Sequence, residues 1–186
     1  MKRFNKAIRI LLVTNGLILI AGAMLGPIYA LFIEKIGGSL LDASAAFGVF
    51  ALAAGITTLI SAKYSDKLKE NELILVWGYG IMGLGFFGYT LVNSVWELLV
   101  VQVIIGLGEA IYVPAFDAVY SKHLDGQKCG REWGAWEATN YFTMALGAIS
   151  GGLLVTNLGF NTMFAIMGSL CFASAIYIFR LPRKVL

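Results

Sequence analysis

Five long stretches of this chain carry no basic residue: Ile10 to Ile33, Ala43 to Ala62, Leu73 to Trp96, Leu98 to Tyr120 and Ala138 to Phe179. About 20 apolar residues rising 1.5 Å each cross a hydrocarbon core about 30 Å thick, and the first four stretches have that length. The fifth is too long for one crossing and is interrupted at Asn157-Leu158-Gly159-Phe160-Asn161. The pattern therefore predicts six membrane helices, over about 9–34, 42–63, 72–92, 95–121, 132–156 and 161–181. Connections alternate between short ones, at Glu34 to Leu41, Asn93-Ser94 and Asn157 to Asn161, and longer polar ones, at Tyr64 to Asn71 and Lys122 to Arg131. No stretch is left for a soluble domain, so the expectation is an all-α integral membrane protein, 1–186 forming a single six-helix transmembrane domain.

Charge orients that bundle. Of 14 Lys and Arg residues, 13 fall in alternate gaps: Lys2, Arg3, Lys6 and Arg9; Lys63, Lys67 and Lys69; Lys122, Lys128 and Arg131; Arg180, Arg183 and Lys184. Lys35 alone falls in the other set. Basic loops stay on the cytoplasmic side, so both termini are expected in the cytoplasm of a multi-pass cell (inner) membrane protein. The net charge of +3 then reflects topology and anionic headgroups, and nucleic acid is not an expected partner.

Composition agrees: a soluble fold of 186 residues that is 59% hydrophobic and 13% charged could not hide its apolar surface. Lys2-Arg3 to Arg9 followed by Ala21-Gly22-Ala23 imitates a signal peptide, but the apolar run continues ten residues past Ala23 and spans a bilayer by itself. Cys129 and Cys171 fall at different depths, which implies no disulfide, and His123 has no partner at metal-ligand spacing. No nucleophile, metal cluster or phosphate loop is legible, so neither an enzyme nor a cofactor or metal is expected.

Lipid offers helices no hydrophobic drive, so close approach at small residues must supply attraction. In the second helix Ser44, Gly48, Ala51, Gly55, Thr58 and Ala62 lay down one small stripe; in the fifth, Gly147 pairs with Gly151 and Ala148 with Gly152. Both stripes predict tight partners, either in a second chain or in the same bundle. The third helix scatters Gly78, Gly80, Gly83, Gly85 and Gly88 over more than one face, which suggests plasticity.

Polar residues within the apolar runs carry the candidate chemistry. Glu109 lies near the middle of the fourth helix, where an ionised carboxylate costs about 2.5–3.5 kcal/mol, so it should face the interior or a wet cavity. Gln102 lies seven residues earlier on the same face, with Tyr112 and Phe116 adjoining. Glu109 is the candidate to bind a proton or a cationic group on a solute; the alternative is a neutral, hydrogen-bonded bundle acid. Toward the cytoplasm Asp117, Glu137, Asn140 and Tyr141, with Arg131 and Lys122, could form a gate or simple interfacial pairs. Trp77, Trp96, Trp133 and Trp136 fall near predicted helix ends and read as interfacial anchors.

Together Pro27-Ile28-Tyr29, Ser65-Asp66-Lys67, Gly106-Leu107-Gly108 before Pro114, and Gly130-Arg131 leading to Gly147 and Gly151-Gly152 resemble the amino-terminal half of a major facilitator superfamily (MFS) transporter. The loop pattern G-x-x-x-D-R/K-x-G-R/K-R/K departs at Ala62-Lys63-Tyr64-Ser65-Asp66-Lys67-Leu68-Lys69-Glu70-Asn71, which lacks both glycines and the basic pair. Gln102 stands where the R-x-x-x-G pattern has arginine before Gly106, and G-P-x-x-G-G reads Gly147-Ala148-Ile149-Ser150-Gly151-Gly152. The resemblance implies an MFS-like half bundle, with first and fourth helices lining a cavity and Asn15 and Tyr29 facing Glu109. It implies two halves in the same orientation, so a parallel homodimer is the leading assembly, with Gly48 and Gly55 of one copy meeting Gly147, Gly151 and Gly152 of the other. Asp66 would face the amino end of the partner's fifth helix and join Asp117, Arg131 and Glu137 in gating. The implied function is secondary transport of a small-molecule substrate across the lipid bilayer by alternating access, with any proton coupling resting on Glu109. A non-transporting subunit that pairs with another six-helix half, or one half of a truncated twelve-helix transporter, is the alternative.

Overall fold

The computed structural model describes residues 4–65, 70–182 and 185–186. Among them every regular element is helical: α1 (Lys6–Leu25), a 3₁₀ turn (Gly26–Ile28), α2 (Tyr29–Lys35), α3 (Leu40–Ser65), α4 (Asn71–Gly88) prolonged by a 3₁₀ turn (Tyr89–Leu91), α5 (Val95–Lys122) and α6 (Cys129–Phe179). Five helical runs are long and apolar enough to cross a membrane: Lys6–Lys35, Leu40–Ser61, Asn71–Leu91, Val95–Lys122 and Cys129–Phe179.

Local chemistry explains where these helices start and stop. Asn5 opens α1, its side chain accepting from the Ile8 N–H at 2.8 Å while its Nδ2 donates to the His123 carbonyl at 2.7 Å. The first run is not one uniform helix as its apolar pattern predicts. Pro27 falls at the start of the 3₁₀ turn, because its ring has no N–H to give and crowds the preceding turn. α2 closes on Gly37 (φ 81°), with the Gly38 and Gly37 N–H groups donating to Ile33 and Glu34 carbonyls at 2.9 and 3.0 Å. Ser39 with Asp42 and Ser94 with Glu97 then cap α3 and α5 reciprocally.

At 51 residues, α6 would be roughly 77 Å long if straight, over twice the hydrocarbon thickness. It is not straight. Gly159 (φ 80°, ψ 170°) leaves helical geometry, a conformation open to glycine because it has no Cβ. Both arms run beside α1: Thr139 and Thr143 of the first lie against Gly16, and Ser174 Oγ of the second donates to the Thr14 carbonyl at 2.9 Å. The chain thus folds back on itself at Gly159.

The main seams join α1 to α6, α4 to α5, α3 to α5 and α4 to α6, and glycine allows the closest approaches. A Cβ built on Gly78 would stand 2.5 Å from that of Tyr112, and one on Gly106 would stand 2.7 Å from the Phe50 carbonyl oxygen. One end of the bundle is filled by Phe32, Tyr89, Phe160 and Phe164, with ring centroids 4.8–5.9 Å apart where they touch. The other is filled by Phe116, Tyr120, Trp133 and Trp136. Trp133 and Trp136 therefore pack partly inward, whereas Trp77 and Trp96 are 71% and 79% exposed.

The two small stripes divide. Gly147 and Gly151 are occupied within this chain: a Cβ on Gly147 would stand 2.7 Å from the Ile20 carbonyl oxygen, and one on Gly151 would overlap the Met24 carbonyl. They belong to the α1–α6 seam. Gly48, Gly55 and Gly152 have no neighbour within 4 Å of an added Cβ and face outward. Gly151→Ala is accordingly expected to destabilise the bundle by about 1–3 kcal/mol, and Gly152→Ala to have no such effect. In a Cys129→Ser background, the temperature at which buried Cys171 reacts with a fluorescent maleimide measures this, and equal temperatures for the two variants would refute the seam.

Candidate substrate-binding site

α5 carries Gln102, Ile105 and Glu109 along one face, and opposite them α1 presents Gly22, Gly26 and the turn leading to Tyr29. Between them lies a cavity of about 190 Å³ whose remaining wall is Phe47 and Phe50 from α3 and Met82, Phe86 and Tyr89 from the α4 run. A second cavity of about 350 Å³ opens toward α6, lined by Asn140, Met144 and Ala148, and shares Gly22, Gly26, Met82 and Glu109 with the first. Glu109 therefore stands where the two spaces meet, beside a stretch of α1 that glycine keeps low.

Three of the four binding residues expected from sequence converge here. Tyr89 Oη donates to Gln102 Oε1 at 3.2 Å, and Gln102 Nε2 donates to Tyr29 Oη at 2.5 Å. Glu109 is half-buried, and among the described residues its carboxyl group has no hydrogen-bond or ion-pair partner. At the next residue, Ser61 Oγ of α3 donates to the Ala110 carbonyl at 2.9 Å, tying α3 to this part of α5.

Asn15 is placed elsewhere. It is 1% exposed, lies outside both cavities, and its Oδ1 accepts from Tyr79 Oη at 2.9 Å. Among the described residues its Nδ2 has no hydrogen-bond partner. Seven residues separate Asn15 from Gly22, so it shares that face of α1 but lies about 10 Å deeper along the axis, where Tyr79 covers it.

Sequence reasoning passed over Tyr79 and Tyr89. Each sits within an apolar run, yet a buried tyrosine hydroxyl needs a partner, and that requirement was the available signal.

Three of the proposed gate residues, Asp117, Arg131 and Glu137, lie toward the bundle end bearing the Lys122–Arg131 loop. Asp117 and Glu137 are exposed, and the Arg131 guanidinium lies 4.8 Å from the Phe4 ring centroid. Asp66 lies outside the described residues. The acid built into this end is Glu132, which is 5% exposed; its carboxylate accepts the Asp125 N–H at 2.7 Å and its carbonyl accepts Tyr120 Oη at 2.5 Å. Asp125 also pairs with Lys128. Among the described residues no three of His, Cys, Asp and Glu gather to hold a metal.

The arrangement offers an aromatic and aliphatic wall with a small set of polar groups on one side, which suits an organic solute with an apolar body and a polar or charged end. Its cavities are open-sided, as one half of a larger enclosure would be.

Comparison with known proteins places this architecture. The chain is 27% identical over 177 residues to Multidrug resistance protein MdtG of Proteus mirabilis, a match covering 92% of this chain and 44% of that protein. It is 23% identical over 175 residues to the protein of the same name from Citrobacter koseri, covering 92% and 43%. It thus spans less than half the length of these curated relatives. The crystal structure of the POT family transporter PepTSo superposes with a TM-score of 0.81 at 16% identity, covering 96% of this chain and 37% of that one, and shares its fold. With residues 11–186 also matching the family model for the Major Facilitator Superfamily, this integral membrane protein belongs to that superfamily of transporters.

Proposed function

We propose that this chain is one six-helix half of a secondary transporter that moves a small organic solute with a cationic group, coupled to protons through Glu109. The observation that carries this reading is the meeting of an unpartnered Glu109 with the Tyr29–Gln102–Tyr89 group on an aromatic wall. A carboxyl group at that depth is costly unless something occupies it, and a proton and a cation compete for the same oxygens. In this reading Lys6–Lys35 and the next three runs each cross once, and α6 crosses twice by folding back at Gly159. The six crossings, together with the alternating basic loops, put both termini in the cytoplasm and the protein in the inner membrane of a bacterium.

A half with both ends on one side can be completed by a like-oriented half, and rocking of the two gives alternating access. A second copy of this chain meets that requirement, and the unoccupied small positions Gly48, Gly55 and Gly152 support such a face. The length of the relatives supports the other completion, in which the second half belongs to a longer twelve-helix protein.

Proteoliposomes loaded at low pH test the coupling: Glu109→Gln is expected to cut pH-driven uptake of a small organic cation about tenfold, the effect of losing one charge-assisted contact, and to flatten its pH dependence. Uptake that keeps its pH dependence would remove Glu109 from this role. Gly55→Leu is expected to leave folding intact, since the site is open, and to shift the mass in mild detergent from dimer to monomer. A wild-type chain that is already monomeric would favour the longer protein.

A further inference from the structure

The Tyr89–Gln102–Tyr29 group has two possible hydrogen-bond polarities, because turning the Gln102 amide over exchanges its oxygen and nitrogen. Burial decides between them. Tyr89 is 3% exposed, with its ring stacked on Phe164 at 4.8 Å and set edge-on to Phe32 at 5.7 Å. Those rings fix where its hydroxyl points, and among the described residues the acceptor in reach is Gln102 Oε1. With the amide reversed, Tyr89 would accept from Nε2 and its own proton would be buried with no acceptor. Tyr29 is under no such compulsion, being half-buried with its side chain on the cavity.

The order that satisfies every buried group therefore runs from Tyr89 to Gln102 to Tyr29. Tyr29 receives the Gln102 Nε2 proton on its hydroxyl oxygen, so its own O–H is turned toward the cavity. The cavity then shows two opposite demands, an acceptor at Glu109 and a donor at Tyr29.

We propose that Tyr89 is a positioning residue that sets the polarity of the Gln102 amide and so makes Tyr29 a hydrogen-bond donor to the solute, selecting cations that also carry an acceptor. This rests on the cavity being the solute site, as argued above. It assigns a specificity role to a tyrosine that need not touch the selected group, and it explains why a glutamine serves at Gln102. An arginine there would be donor-only and could not accept from Tyr89.

Binding of 3-acetyl-1-methylpyridinium and 3-ethyl-1-methylpyridinium to the full chain in detergent tests this, because the two cations share charge and shape and differ by one carbonyl acceptor. The wild type is expected to prefer the acetyl compound about fivefold, the effect of one neutral hydrogen bond. Tyr29→Phe and Tyr89→Phe should both bring the ratio to about one, chiefly by weakening binding of the acetyl compound. Gln102→Glu, whose oxygens accept from both hydroxyls, should give the same loss of preference should Tyr89→Phe fail to fold. A purely structural Tyr89 would change both affinities together, and a preference retained in Tyr89→Phe would overturn the relay, as would a wild-type ratio of one. Failure of the underlying reading looks different: binding of neither cation by the wild type overturns both ideas, whereas a preference that persists while Glu109→Gln weakens neither compound removes Glu109 alone.

Discussion

Close approach of helix backbones is the constraint from which the rest of this structure follows. Where the surroundings are as apolar as the side chains, association must come from dispersion contacts and interhelical hydrogen bonds. Each seam therefore depends on positions with no side chain to hold neighbours apart: Gly147 and Gly151 against α1, Gly78 and Gly108 between α4 and α5, and Gly106 against α3. These contacts fix the separation of α1 and α5, and that separation determines the width of the groove between them. The exposure of Gly22 and Gly26 on the groove side of α1 leaves room that larger residues would fill.

The same surroundings govern the polar groups. Buried tyrosine hydroxyls need partners, and here Tyr79, Tyr89 and the side-chain amides beside them form two separate sets. Tyr79 with Asn15 lies in the packed core, while Tyr89, Gln102 and Tyr29 lie along the groove. Glu109 belongs to neither set, which is why the proposed reading gives it the ligand. The aromatic cluster of Phe32, Tyr89, Phe160 and Phe164 closes one end of the bundle and also holds Tyr89 against Gln102, so under the proposal packing and recognition share residues.

The family match and the fold likeness agree. The chain spans less than half the length of the curated relatives it matches. In the proposed reading, the outward small positions on α3 and α6 and the open-sided cavities would meet a second half across the groove.

Sequence alone determined that this is an all-helical membrane protein, where its apolar runs lie, and that Gln102 and Glu109 share one face, because length, hydropathy and 3.6-residue periodicity are local properties. It also supplied the family, since the order of Pro27, Gly106 and the Gly147–Gly152 segment is itself a pattern. Only tertiary structure decided which glycines were already used: spacing makes Gly55 and Gly151 look alike, yet one meets open space and the other a carbonyl of α1. It likewise decided that Asn15 joins Tyr79 in the core while Tyr89 joins the groove. The reason is physical: a stripe or a polar residue states what a helix needs, but which neighbour meets that need depends on helix rotation and depth, which are set by contacts between segments distant in the chain.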